Sequence, residues 1–462
     1  MHKRNATSSF GKILALAVVI GGGVHAAAAQ PPSAEVARLG KDLTPVGAEK
    51  GGNKDASIPA WTGGDMNAPG GWKPGQPRPN PYALEKPLFS IDASNVDQHK
   101  ERLSPGQIEV IKTFKGHRLD VYPTHRSCGY PTAYYDRTRQ NASTARMGEN
   151  GRLAEALGAA VPFPLPQSGE EVMWNHKLRW HGEGAITPSL TVLPPRGGDS
   201  LGQFLVTQEW QTSPMWSLGN KGVADANDIE TYFIASYTQP PSVAGDMTLT
   251  HYKISAANDV WLYFASQRRV RRAPTYQYDA PVLNLENMMT ADQYLMFNGP
   301  LDRYDFKLAG KKEMYVPYNW YKMNSGQVRP EDLVTPKDVK PDAVRYERHR
   351  VWVVDAALKP DMRHVFTRRT FYVDEDSWHI LAVDLYDAQN KIQRTMESGV
   401  FMAWEIPACV EGAYVNYDIP SVRYLADRLA AGQTEGDYLA KREKRMDESM
   451  FVPDGLRRMS TR

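Results

Sequence analysis

Residues 346–398 contain four strand-like segments, YERHRVWVVDAAL (346–358), VFTRRTFYV (365–373), WHILAVDLY (378–386) and KIQRTMES (391–398). Short runs that form turns, residues 374–377 and 387–390, separate them. The segments are rich in β-branched and aromatic residues, which favour strands, so we predict a four-stranded antiparallel meander. Within WHILAVDLY, Leu381 and Val383 alternate with Ile380 and Ala382, so neither face of this sheet is purely polar. A large curved sheet with an apolar inner face is a suitable container for an apolar ligand.

Most of the remaining chain has the same character. Further predicted strands are FLVTQEWQ (204–211), IETYFIASYTQ (229–239), MTLTHYKIS (247–255), DVWLYFAS (259–266), RRVRRAP (268–274) and RYDFKLAGKKEMYVPYNWY (303–321). Only three helix starts stand out, each with a capping residue: Ser104 with Gln107, Ser168 with Glu171, and Thr290 with Gln293. The predicted fold class is therefore mainly β, with a few covering helices.

The first 29 residues have the pattern of a secretory leader. Lys3, Arg4 and Lys12 precede an apolar run at 13–24, and small residues follow up to Ala29. We expect cleavage after Ala29 and a periplasmic protein. No later stretch approaches the roughly 20 apolar residues of a membrane-spanning helix.

The charge balance excludes one class of partner. The formal net charge is +2, and removing the three cations of the leader leaves −1. A protein that binds nucleic acid normally carries a basic domain or stripe, so we expect no nucleic-acid partner. The 11 Trp, 23 Tyr and 13 Phe residues instead indicate one large aromatic core, or two halves that share an interface.

Cys128 and Cys409 are the only cysteines. An even number in an exported chain favours a disulfide, which would tie the beginning of the fold to its end. The alternative is a metal site in which His125 joins the two cysteines, but a fourth ligand is missing.

We expect three regions after the leader. Residues 30–100 are rich in Gly and Pro and read as an extended arm over the body, with a disordered linker as the alternative. Residues 101–425 form the predicted β body. Residues 426–462, which include LAKREKRMDESM, read as a charged C-terminal helix and tail.

Several phrases carry a family resemblance: LTPVGAEKGGNKDASIPAWTGG, KPLFSID, RLSPGQIEVIKTFKGHRLDVYPTHRSCGYP, VPFPLPQSGEEVMWNHKLRW, VWLYFASQRRVRRAPTYQYDAP and FNGPLDRYDFKLAGKKEMYVPYNWY. Along nearly the whole mature chain the sequence resembles a family of exported proteobacterial proteins, catalogued as a domain of unknown function. That family is similar in fold to the LolA/LolB-like carriers and receptors that sort lipoproteins.

The resemblance implies a large half-open antiparallel β-barrel with helices near its mouth, which carries a hydrophobic ligand such as a lipid, an acyl chain or a sterol-like molecule. It implies partners too, an exporter of the resistance-nodulation-division type and an outer-membrane companion protein. It supplies no catalytic residue and no cofactor, and we expect none. The alternative within the same compartment is a docking or assembly subunit of an envelope transport complex.

Candidate ligand-binding residues follow from strand alternation. Tyr252 and Ile254 share one face of their predicted strand, and Leu262 and Phe264 share one face of the next. With apolar residues of the meander and a tryptophan-rich helix, the candidate wall comprises Tyr252, Ile254, Leu262, Phe264, Trp352, Phe371, Leu381, Trp174 and Trp180. The alternative for each is ordinary core packing.

The densest run of charge comprises Arg268, Arg269, Arg271 and Arg272. Its two readings are a solvated sheet edge that is protected against aggregation and a docking surface for an acidic partner or anionic lipid.

Two other functions remain as alternatives. Gly198–Leu201 matches a short esterase signature, with Ser200 as nucleophile and His364 and Asp361 as its partners. The sequence lacks the alternating strands and helices of such enzymes, so we expect no enzyme. A carbohydrate-binding module would require exposed coplanar aromatic residues on a convex face.

Overall fold

The computed structural model describes residues 31–219 and 221–460. The predicted leader and its cleavage after Ala29 lie outside these residues. The strands are β1 Phe89–Ile91, β2 Leu119–Val121, β3 Arg146–Met147, β4 Leu153–Glu155, β5 Gly184–Val192, β6 Leu205–Thr212, β7 Ile229–Gln239, β8 Met247–Lys253, β9 Asp259–Phe264, β10 Arg269–Arg272, β11 Tyr304–Pro317, β12 Tyr346–Leu358, β13 Arg368–Asp374, β14 Ile380–Tyr386, β15 Ile392–Ala403, β16 Ala408–Asp418 and β17 Arg423–Leu429. The α-helices are α1 Ser33–Val36, α2 Val96–His99, α3 Pro105–Thr113, α4 Thr132–Thr144, α5 Gly169–Lys177 and α6 Pro453–Met459.

All strands except β3 and β4 belong to one large sheet. Its main run has the order β11-β12-β13-β14-β15-β16-β17-β5-β6-β7-β8-β9-β10, and every neighbouring pair in this run is antiparallel. The antiparallel pair β1–β2 joins it through one parallel residue pair, Tyr346 with Val121. No pairing between β10 and β11 occurs in the described chain, so the sheet stays open. The predicted fold class, mainly β with a large half-open antiparallel sheet and few helices, is confirmed.

The four predicted strands of the meander are β12 to β15, and they pair in chain order. Both faces of this region are covered. On the inner face, α5 packs its Val172 and Met173 into a core that includes Phe371 and Leu381. On the outer face, α3 packs Val110 and Ile111 into a second core. The double covering explains why the strands carry apolar residues at successive positions.

Two of the predicted helix starts are confirmed. Ser104 and Gln107 form a capping box at α3, and the Ser168 side chain accepts from the Glu171 N–H at α5. The third prediction is wrong, since Thr290 and Gln293 form the capping box but only a short 3-10 turn follows. Tyr294 is already extended there, and its hydroxyl bonds to Glu209 across the sheet. That tertiary contact competes with helix formation.

The N-terminal arm lies on the body and makes specific contacts. Between α1 and β1 its only regular element is a 3-10 turn at Pro69–Gly71. The Trp61 indole donates to the Cys128 carbonyl at 2.9 Å, and Arg78 pairs with Glu405 at 2.7 Å in a buried position. The arm therefore contacts the body through specific polar groups.

The C-terminal region differs from the predicted charged helix. Residues 426–429 complete β17, residues 439–444 form turns, and the only helix is the short α6. Met446, Phe451 and Leu456 are buried against the outer face of β7 to β9. Their spacing of five residues does not match the helical period of 3.6, and only Leu456 lies in a helix, α6, while Met446 and Phe451 insert from irregular segments. The segment covers the sheet instead of forming a solvated tail.

Cys128 and Cys409 form a disulfide, which links the loop before α4 to β16. The alternative metal site would need both cysteine thiols, and the disulfide already uses them. Its third proposed ligand, His125, pairs with Glu85 at 2.7 Å. In the part of the chain that the model describes, no helix is long and apolar enough to cross a bilayer.

Candidate functional site

A cavity of about 110 Å³ lies on the inner face of the sheet, under strands β5 to β9. A long connection after β10, residues 273–303, crosses this face, and we call it the cover segment. Alternate residues of each strand face the cavity, as the pleat requires. The sheet side consists of Ser189, Thr191, Leu205, Thr207, Glu209, Phe233, Ala235, Tyr237, Thr248, Thr250, Tyr252 and Val260, and Asp427 adds to it from β17. The cover segment contributes mainly Tyr276, Val282, Leu283, Leu285, Met289 and Tyr294.

The cover segment folds back on itself as an irregular hairpin. A bridge joins Pro281 and Thr290, and the Val282 N–H donates to the Met289 carbonyl at 3.0 Å. Six of its residues other than glycine have positive φ angles, namely Tyr278, Asn284, Glu286, Asn287, Leu295 and Met296. Such conformations cost free energy, and they cluster at ligand clamps and switch regions in proteins.

Polar contacts fasten the cover segment to strands β13, β16 and β17. Asp292 pairs with Arg369 of β13 at 2.6 Å, in a buried position. Glu286 pairs with Arg423 of β17 at 3.0 Å. Asn416 of β16 donates its side-chain amide to the Met288 carbonyl. The segment is thus held by specific polar bonds more than by a helix or strand of its own.

One end of the cavity is polar. The Glu209 carboxylate accepts a hydrogen bond from the Tyr294 hydroxyl at 2.8 Å and lies 3.1 Å from the Arg428 guanidinium. Asp427 accepts from the Thr191 hydroxyl at 2.6 Å and from the Tyr414 hydroxyl. A β-bulge lies here, because the pairing of β17 with β5 shifts register between Ala426 and Leu429, and Arg428 has a φ of 55°. Bulges re-aim side chains, and this one turns Asp427 and Arg428 toward the cavity end.

Burial shifts the titration of these groups. It raises the pKa of Glu209, against the opposing pull of Arg428. It also raises the pKa of Tyr294 well above its ordinary value, so this hydroxyl stays protonated and can donate. Burial would raise the pKa of Asp292 as well, but Arg369 and His364 hold it well below the ordinary value.

The predicted ligand-binding residues do not converge on one place. Tyr252 lines the cavity, and Leu262 and Phe264 follow Val260 on the same face of β9. Ile254 and Trp174 line a separate cleft of about 720 Å³. Trp352 lines another, of about 830 Å³, beside the arm. Phe371, Leu381 and Trp180 are fully buried in the inner core.

The two clefts are larger than the cavity but less suited to an apolar ligand. The first has Arg152, Lys177, Lys253 and Lys359 in its wall. The second has charged residues of the arm, such as Arg38 and Asp42, and is open to solvent. We therefore regard the covered cavity as the candidate site. The sequence did not reveal Glu209, Asp427 or the cover segment as parts of the site. The recurrent Thr and Tyr positions of β7 and β8 could have indicated that this face of the sheet lines a cavity.

The arginine run forms the free edge strand β10. Arg269, Arg271 and Arg272 are exposed, Arg271 donates to Gln267 at 2.8 Å, and Arg272 pairs with Asp259. The strand leads directly into the cover segment.

The residues of the esterase signature have other environments. Ser200 and Asp361 are exposed in loops. His364 is buried and contacts Asp292 at 3.1 Å and Arg369 at 2.8 Å. The acidic partner of His364 is therefore Asp292 of the cover segment, in place of the expected Asp361.

Two buried groups contain metal-ligand side chains, His181 with His379 and Glu411, and His349 with Asp374 and Asp376. In the first, Arg179 already makes two hydrogen bonds to Glu411, at 2.6 and 3.0 Å. In the second, Arg126 makes two to Asp376, at 2.6 and 2.7 Å. Because a guanidinium compensates a carboxylate in each group, both are explained as buried ion networks.

Comparisons with known proteins place the chain in a family. "Uncharacterized protein PA3922" of Pseudomonas aeruginosa is 39% identical over 435 residues, which cover 93% of this chain and 94% of that protein. A putative outer membrane lipoprotein-sorting protein domain from Vibrio parahaemolyticus is similar in structure, with 14% identity, a TM-score of 0.43, and coverage of 62% of this chain and 97% of that one. A DUF1329 family protein from Desulfovibrio piger has 14% identity and a TM-score of 0.41, with coverage of 60% and 92%. These structural likenesses are too low to transfer a function. The family model described as "Protein of unknown function (DUF1329)" matches residues 90–457, and the chain belongs to this family.

Proposed function

We propose that this protein is a periplasmic carrier that binds an apolar or amphipathic small molecule in the cavity beneath the cover segment. The observation that carries the proposal is the cavity itself, enclosed between the inner face of β5 to β9 and apolar residues of the cover segment. Ligand sites are typically concave and mostly apolar, with a few convergent polar groups. The polar end at Glu209 and Asp427 supplies such groups.

The size of the cavity bears on how a ligand enters. A volume of about 110 Å³ is somewhat below the ~150 Å³ cavity that holds benzene in an engineered protein, and well below the ~300–1,000 Å³ of common ligand sites. A lipid-sized molecule therefore requires displacement of the cover segment. The cover segment has a strained backbone and is held by a few polar bonds. Both features favour opening of the cover segment as one unit.

The disulfide supports the compartment, because such bonds persist in oxidising environments such as the periplasm. The exporter and the outer-membrane companion implied by the family resemblance are the partners to test first. The exposed arginine edge at β10 is the proposed docking surface, since it adjoins the cover segment.

The test begins with mature protein purified from its own periplasm without detergent. Native mass spectrometry and solvent extraction should find one apolar adduct per chain. Ala235→Trp fills the cavity wall and should abolish the adduct. Thr238→Trp lies on the other face of the same strand, is exposed, and should retain it.

An empty wild-type protein that also fails to bind an uncharged fluorescent probe would overturn the carrier proposal. It would favour the docking or assembly subunit instead. In that case, substitution of the β10 arginines should weaken association with envelope partners, and salt should weaken it as well.

A further inference from the structure

The cavity wall has an unusual charge composition for a lipid site. Three acidic residues line it, Glu209, Asp292 and Asp427, and none of the described lining residues is Arg, Lys or His. All three are nine-tenths or more buried. A carboxylate or phosphate ligand would meet no cation among the described residues of this wall, while Asp427, which has no ionic partner among them, would repel it.

The three acids are also already satisfied. Asp292 is paired with Arg369, and Glu209 is paired with Arg428 and accepts from Tyr294. Asp427 accepts from Thr191, from Tyr414 and from the Arg428 backbone N–H. A cationic ligand would therefore compete with bonds that exist, and would gain little by entering.

The polar groups of the described cavity wall that lack a protein partner are mainly hydroxyls, together with the Gln277 amide oxygen. Thr207 of β6 and Thr250 of β8 line the wall and are more than nine-tenths buried. Among the described residues we find no hydrogen-bond partner for either hydroxyl or for that of Ser189, the direct cross-strand partner of Thr207, and all three residues face the cavity. A hydroxyl that faces a cavity and has no protein partner is free to bond to a ligand.

The opposite wall is apolar. Val282, Leu285 and Met289 of the cover segment face the hydroxyl-bearing strands across the cavity. A molecule that fills this space meets hydroxyls on one side and hydrocarbon on the other.

We infer that the cavity selects an uncharged amphiphile whose polar group is a hydroxyl, of the long-chain alcohol or sterol-like class, and rejects fatty-acid anions. This inference rests on the proposed carrier function and names the chemical class of its ligand. The hydroxyls of Ser189, Thr207 and Thr250 are the groups that bind the ligand hydroxyl. Anions are excluded because the described wall offers no cation and contains the Asp427 carboxylate.

The first experiment uses the wild-type protein, so that folding of a variant is not at issue. Decanol, decanoate and decylammonium compete at pH 7 with the uncharged probe N-phenyl-1-naphthylamine. Decanol should displace the probe at a concentration at least about tenfold lower than either ion, as a free-energy difference of about 1.4 kcal/mol or more would give. Equal or stronger displacement by decanoate would overturn the inference, and so would a preference for decylammonium.

A variant pair tests the hydroxyls. Thr207→Val combined with Thr250→Val keeps the side-chain shape and should weaken decanol binding about tenfold, while decane binding stays the same or improves. Thr238→Val, on the outer face, is the matched control. Equal losses for decanol and decane would assign Thr207 and Thr250 a structural role and overturn the inference.

The binding results distinguish failure of the selectivity inference from failure of the carrier proposal. If decanoate binds well and Ala235→Trp abolishes its binding, the carrier proposal stands and only the selectivity inference falls. If no decyl compound binds, or if Ala235→Trp changes nothing, both fall together.

Discussion

The two halves of the large sheet have the same antiparallel pairing but are covered in different ways. In the half formed by β11–β17, the meander half, β14 and β17 are buried along their whole length, and helices pack on both faces. In the half formed by β5–β10, the cavity half, β9 is only partly buried and β10 is largely exposed. Mostly irregular segments cover it, the cover segment inside and the C-terminal segment with its short helix α6 outside. A helix buries a regular apolar stripe, whereas a loop leaves a gap.

The comparison suggests a division of roles. The meander half supplies a rigid frame to which the cover segment is fastened through Asp292 and Glu286. Under the proposed function, the cavity half would supply the space for a ligand, and the irregular cover segment bounds that space. Regions that open locally are those with fewer buried apolar contacts and more irregular backbone.

The largest expected effect concerns the disulfide, which closes a loop of 281 residues onto the meander half. In the chain-entropy model a loop of this length contributes about 5.6 kcal/mol, and native disulfides commonly contribute about 2–5 kcal/mol. We expect a Cys128→Ala, Cys409→Ala variant to lose stability in this range, measured by urea unfolding. Wild-type protein unfolded in reductant is the control and should match the variant. If the free energy of unfolding fell by less than about 1 kcal/mol, the meander half could not be regarded as the rigid frame of the sheet.

The next effect compares one residue type in the two halves. Leu381 of β14 is fully buried in the inner core, and Leu205 of β6 is partly exposed and borders the cavity. Leu381→Ala should cost about 2–5 kcal/mol because it creates a void in close packing. Leu205→Ala should cost less than about 1 kcal/mol, since the space beside it already exists. Equal costs in urea unfolding would mean that the two halves are packed alike.

The difference between the halves also explains what the sequence could predict. The four strands of the meander and most strands of the cavity half are evident, because β-branched and aromatic residues mark them and turn residues bound them. Strands β16 and β17 were missed, since they place Glu411 and Asp427 at positions that look solvent-exposed until partners such as Arg179 and Tyr414 are known. Partners that are distant in sequence leave no local pattern.

The candidate site was less predictable for the same reason. Tyr252 was identified from alternation along its strand, but Phe371 and Leu381 share that pattern and lie in the core. The alternation of residues along a strand shows which side chains share a face of the sheet. It does not show whether a helix packs on that face or a cavity lies beside it. The cover segment has no regular period, and its one helix-like signal at Thr290 is overridden by the bond from Tyr294 to Glu209.

A buried acid of the meander half should make stability depend on pH. Burial raises the pKa of Asp384 from 3.8 to about 6, although Ser104 donates to it at 2.9 Å. Between these two values the folded state holds a proton that the unfolded state has released. The contribution of Asp384 to stability is therefore present below pH 3.8 and is lost as the pH rises through 6.

Asp384→Asn removes this titration. Relative to wild type, we expect the variant to gain about 2–3 kcal/mol in its free energy of unfolding between pH 4 and pH 8, from a shift of about two pKa units at 1.36 kcal/mol each. Urea unfolding at several pH values measures the difference. Parallel stability curves for the two proteins would show that Asp384 titrates alike in both states.

The smallest effect tests the cover segment directly. Tyr294→Phe removes the hydroxyl that donates to Glu209 at 2.8 Å, while Arg428 still compensates the carboxylate. The global free energy of unfolding should fall by only about 1 kcal/mol, as expected for one hydrogen bond. Local opening should change more visibly, because this bond ties the cover segment to the cavity half. Hydrogen exchange should therefore accelerate at the Val282 amide, which donates to Met289, but not at amides of β14. Tyr232→Phe, on the outer face of β7, is the matched control and should leave Val282 protected. If Val282 and β14 exchange together in the Tyr294→Phe variant, the cover segment opens only when the whole protein unfolds, and the two halves form one cooperative unit.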